Sequence, residues 1–164
     1  MDKGQKRIIA VLAALLVIVL VGVFIGLLTQ DPIRGEFVPP TFEENAKTEF
    51  SAPIDEKAAY TPFSIPNEFM GALCANVFVK DGKAELYFTS FEGNAVWARV
   101  ILYNENGKAI GESGLIQAGE HIDAIPLSKI PRNNSKLSVK VLLYEPDTYF
   151  SRGSCSLSVN LIVR

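Results

Sequence analysis

The chain has 164 residues, 48% of them hydrophobic, and carries 16 Lys and Arg against 18 Asp and Glu for a formal net charge of −2. That length holds one domain plus its termini, and the charge balance leaves no basic footprint for nucleic acid. Two cysteines and one histidine are too few to build a metal centre, so neither metal nor cofactor is expected.

Residues 8–28 read IIAVLAALLVIVLVGVFIGLL, without one polar side chain. At 1.5 Å per helical residue the run spans roughly 31 Å, against ~30 Å for the hydrocarbon core of a bilayer. A cleaved signal has a shorter apolar run and a small-x-small site after it, and the following LLTQDPIR has no such site. Residues 8–28 are therefore predicted to form a retained transmembrane helix whose partner is the lipid bilayer. Lys3, Lys6 and Arg7 precede the run and resist translocation, which places residues 1–7 in the cytoplasm and everything beyond Leu28 outside the cell membrane. Gly22 and Gly26 form a G-x-x-x-G pair that lets two helices approach closely. Ala10 and Ala14 repeat the spacing about 80° further round the helix, so only a weak homodimer is expected.

Residues 29–66 contain Pro32, Pro39, Pro40, Pro53, Pro62 and Pro66. Proline fixes φ and removes a donor, so this segment reads as a semi-extended stalk. Thr41 and Glu44 have capping-box spacing for one short helix. Phe37, Val38, Phe42, Phe50, Tyr60 and Phe63 suggest that parts of the stalk dock on the domain C-terminal to it.

From Asn67 the texture becomes alternation punctuated by turns. Met70–Val79 reads as a strand, then the turn KDGK, then Ala84–Ser90 with Ala84, Leu86 and Phe88 on one face. After FEGN, Val96–Tyr103 places Val96, Ala98, Val100 and Leu102 opposite Trp97, Arg99, Ile101 and Tyr103. NENG leads to Lys108–Ser113, QAGE to His121–Leu127, and Leu137–Tyr144 and Ser154–Val163 complete the chain. About seven short strands with a turn every 8–12 residues predict an all-β domain over 67–164, an antiparallel β-sandwich.

Cys74 and Cys155 fall in the exported part, where a disulfide is chemically allowed. Strand parity sets Cys155 with Leu157, Val159 and Leu161, but Cys74 with Asn76 and Phe78. A bridge and two separate thiols both stay open. His121 and Asp123 share a face at i and i+2, which reads as a surface pair at a strand start. No HExxH, GxSxG, CxxC or paired catalytic carboxylates can be assembled, so the chain is not expected to be an enzyme.

The stretches VFVKDGKAEL (residues 77–86) and EGNAVWARVILYNENGKAIGESGLIQAGEHIDAIPL (residues 92–127), with the alternating final strand, carry a resemblance. The chain resembles small single-pass proteins of Gram-positive (Firmicutes) gut bacteria that bear an immunoglobulin-like β-domain after an N-terminal anchor. Ala118 stands where that family prefers proline, and PRNNSKL (residues 131–137) replaces a later G-x-Y turn. The resemblance implies an anchored, outward-facing immunoglobulin-like sandwich and carries over no site residues.

The expected function is a binding or structural module that engages another envelope protein, within a larger membrane complex. Trp97, Tyr103, Tyr144, Tyr149 and Phe150 are the candidate binding surface, because aromatic side chains make interface anchors. The alternative is a carbohydrate-binding module that stacks sugars on Trp97, Tyr103, Tyr87 and Tyr144.

Overall fold

The computed structural model describes residues 2, 4–5, 15–17, 19–21, 38–50, 55–131 and 134–163. They fall into two units, Met1–Val38 and Pro39–Arg164. In the first, residues 15–17 and 19–21 are helical. No helix among the described residues is long and apolar enough to cross a membrane. Most of the run 8–28, with Gly22 and Gly26, lies outside the described residues.

The second unit is all-β. Among the described residues its strands are β1 (Tyr60–Ile65), β2 (Phe69–Cys74), β3 (Asn76–Lys80), β4 (Lys83–Glu85), β5 (Phe88–Ser90) and β6 (Trp97–Tyr103). They continue with β7 (Ala109–Ile116), β8 (His121–Ile122), β9 (Ile125–Pro126), β10 (Ser135–Tyr144) and β11 (Ser151–Val163). A smaller sheet has the order β1-β2-β5-β8, and a larger one β7-β6-β10-β11-β3-β4-β9. Pairing is antiparallel except between β3 and β11, which run parallel. The larger sheet rolls until its ends approach: Ser128 N donates to Ile110 O at 2.7 Å, joining the chain after β9 to β7. A Cβ on Gly111 would meet Pro126 O at 2.8 Å, so this approach requires glycine. The result is barrel-like, with more strands than the simple sandwich expected.

Alternation places the core. Ala98, Val100 and Leu102 of β6 face inward with Leu137, Val139, Val141 and Leu143 of β10, and none is more than 2% exposed. Phe69, Phe88 and Ile122 of the smaller sheet join the same cluster. Each large side chain covered in this way contributes about 1.5–3 kcal/mol.

Three stretches expected as continuous strands bend from one sheet into the other. Met70–Val79 divides at Ala75 into β2 and β3, Ala84–Ser90 divides at Leu86–Tyr87 into β4 and β5, and His121–Leu127 divides at Asp123–Ala124 into β8 and β9. The bends lie side by side, since Cys74 N donates to Leu86 O and Tyr87 N to Asp123 O, each at 2.9 Å. Tyr87 absorbs the change of direction with φ +49°, in the left-handed region that non-glycine residues seldom occupy. Side-chain parity survives the first bend: Leu73 and Val77 face the main core, while Cys74 and Phe78 form a second cluster with Ala58.

The expected boundary at Asn67 is displaced. Residues 39–50 and 55–66 belong to the β unit. β1 pairs with β2 along its whole length, from Tyr60 with Cys74 to Ile65 with Phe69. Pro62 is tolerated because β1 is an edge strand, where a missing N–H also discourages pairing with another chain. Upstream, residues 41–47 form a strap over two further strand edges. Leu115 N donates to Thr41 O at 2.8 Å and Glu43 N to Leu115 O at 2.9 Å, a parallel bridge to β7. Thr41 and Glu44 open no helix: the Glu43 carboxylate instead accepts from the backbone and side-chain nitrogens of Asn45. The short 3-10 turn lies later, at Glu56–Ala58, where the Asp55 side chain accepts from Lys57 N at 2.9 Å.

Candidate binding surface

The aromatic residues singled out in the sequence separate into two places. Trp97 begins β6 on its outward face, beside its register partner Tyr144 on β10. The Phe42 ring of the strap meets Trp97 edge-on at 4.9 Å, and Tyr149 meets it at 5.5 Å. Edge-to-face pairs of this kind stabilise beyond simple burial. Tyr149 comes from the turn between β10 and β11, which closes through Tyr149 N donating to Glu145 O and Glu145 N to Phe150 O, both at 2.9 Å. Thr148 Oγ1 also donates to Glu145 Oε2 at 2.9 Å. The turn holds Tyr149 at φ +57° and leaves Phe150 71% exposed. Phe42, Trp97, Tyr144, Tyr149 and Phe150 thus make one aromatic end.

Tyr103 is not part of it. It ends β6, six residues beyond Trp97, or roughly 20 Å along the strand. Its register partner is Ser138. Tyr87 is also elsewhere, packed against the second cluster with Tyr60 and Ile162. The four-ring platform expected for sugars does not form.

The His121–Asp123 pair overturns the surface reading. His121 is 1% exposed, because the strap lies over it. Lys47 and His121 form an antiparallel bridge, and the Phe50 ring stands edge-on to the imidazole at 5.5 Å. His121 Nε2 lies 3.8 Å from Asp123 Oδ1, too long for a hydrogen bond, and among the described residues neither atom has another partner. The other carboxylate oxygen of Asp123 holds the Lys47 ammonium. That hydrogen bond, with the charge of Asp123, raises the Lys47 pKa above the ordinary lysine value. An imidazole roofed by backbone and a phenyl ring has no route to a substrate proton, so the pair reads as structural.

Glu43 fastens the other end of the strap, accepting from Gly114 N at 2.7 Å. Burial pushes its carboxyl pKa up, but the hydrogen bonds from Gly114 and Asn45 together outweigh burial and hold it below the usual value. Phe42 and Phe50 left a sequence signal, as aromatics in a proline-rich segment. Lys47 left none.

Both cysteines are free thiols. Cys74 is fully covered in the second cluster, and burial pushes its pKa up to about 11. Cys155 packs half-buried against the main core, and burial raises its pKa as well. Among the described residues no three His, Cys, Asp or Glu side chains are grouped to hold a metal ion.

Neither a protein-family model nor a curated protein matches the chain. Function is therefore read from the surface itself.

Proposed function

We propose that this chain is a membrane-anchored, outward-facing β-domain of immunoglobulin-like type that engages another envelope protein through its aromatic end. The anchor is the apolar run 8–28, and the immunoglobulin-like reading is supported by two sheets that share one core. The observation that carries the contact surface is Phe150, 71% exposed at a turn that is braced by internal hydrogen bonds and whose Tyr149 packs on Trp97. A large apolar ring held out on a fixed turn loses little conformational freedom on binding, which suits it as an anchor.

A photo-crosslinking residue at Phe150 in the full chain tests the proposal in native membranes. One discrete adduct is expected, sensitive to protease and unchanged in mass by deglycosylation, while the same residue at exposed Glu56 gives none. Equal, diffuse labelling from both positions counts against a specific partner.

A further inference from the structure

We propose that the opposite end of the same outer face, around Tyr103, binds an acidic polysaccharide. The site is a grid set by strand register. Tyr103 of β6 lies beside Ser138 of β10, which lies beside Ser158 of β11. Lys140 lies beside Ser156 in the next outward row. Lys136 flanks the grid on the other side, and these six residues line an open groove of about 440 Å³.

Each side chain has a chemistry that a sugar polymer complements. Serine hydroxyls both donate and accept, as sugar hydroxyls do. The half-buried Tyr103 ring offers an apolar face with a polar tip. Lys136 and Lys140 provide ammonium groups, and among the described residues neither is ion-paired. Glu105 borders the groove, but one carboxylate oxygen accepts from the backbone N–H of Lys136 at 3.1 Å. The two lysines stand four residues apart on one strand, about 13 Å between Cα atoms. A small anion contacts one of them at a time, whereas a chain with repeated charges bridges both.

The alternatives fit less well. Protein interfaces are depleted in serine and lysine and built on large apolar anchors, which belong to the aromatic end instead. Nucleic acid needs a broader basic surface than two lysines on a chain of net charge −2.

The full chain in detergent micelles, titrated with polygalacturonate, phosphorylated dextran and neutral dextran, tests this. Binding to an acidic polymer that weakens with salt is expected, with no binding to dextran. Preference between the two acidic polymers tells a carboxylate-bearing from a phosphate-bearing ligand. The double variant Lys136→Gln/Lys140→Gln should bind roughly tenfold more weakly, a loss of about 1.4 kcal/mol, and Tyr103→Ser should weaken binding at every salt concentration. Phe150→Ala should bind like the parent, which separates this site from the aromatic end. Unchanged affinity in the double variant, equally tight binding to dextran, or no binding to either acidic polymer overturns the inference.

Discussion

Lys47 and His121 exchange both of their backbone hydrogen bonds, each at 2.9 Å, so that a residue of the strap continues the edge of β8. This bridge, together with the Phe50 ring, covers the only histidine of the chain and extends the smaller sheet on the side away from β1. Backbone pairing supplies the register, and the Lys47–Asp123 ion pair sits above it as a latch.

The latch should respond to alkali. The folded Lys47 pKa is raised, so its contribution is fully present below the unfolded lysine value near ~10.4. It is lost as pH rises through the folded value. The expected result is a step in strap protection above that pH, read by hydrogen exchange at the Lys47 and His121 amides with correction for the intrinsic rate. Asp123→Asn should abolish the step. A step that persists in the variant would assign it to another group.

At the other end of the strap the sign reverses. Glu43 is held below its usual value, so its contribution is present above the unfolded value near ~4.3 and lost as pH falls through the folded one. Exchange of the Gly114 amide, which donates to Glu43, should accelerate below that range. In Glu43→Gln the same amide should show no acid-dependent change beyond the intrinsic rate.

Gly114 tests how closely the strap must lie on β7. A Cβ added there would meet Glu43 N at 2.6 Å and the Phe42 carbonyl carbon at 2.7 Å. Both are backbone atoms, which cannot rotate away. Gly114→Ala should lift the strap and withdraw Phe42 from Trp97. Trp97 is the only tryptophan, so its emission should move to longer wavelength as water reaches the indole. An unchanged spectrum would show that the strap accommodates the methyl group.

The cysteines give a chemical check on burial. Cys74 has its pKa pushed up to about 11 and is 0% exposed, whereas Cys155 is partly accessible. Since the thiolate is the reactive form, Cys155 should be alkylated first at pH 8 in the native protein, and slowly. Cys74 should follow only in denaturant, with two thiols titrated in total. A single thiol or none under denaturing, non-reducing conditions would indicate a bridge.

Much of the fold was legible from local alternation. The inward residues of β6 and β10 were read directly, because a strand turns successive side chains to opposite faces whatever it pairs with. Turn chemistry at KDGK and NENG was equally local. The bends at Ala75, Leu86–Tyr87 and Asp123–Ala124 were not legible, since parity passes through them undisturbed and only the neighbouring strands reveal that the chain has changed sheets. The prolines of residues 29–66 argued for a stalk and could not show that Thr41 and Lys47 would find β7 and β8. The same limit applied to His121: its spacing from Asp123 came from the sequence, but its burial came from a strap 74 residues earlier in the chain. Which residues share a face was thus determined by the sequence alone, through the fixed geometry of an extended backbone. Which faces are covered was decided by the tertiary structure, because burial depends on segments distant in sequence that meet only in the folded chain.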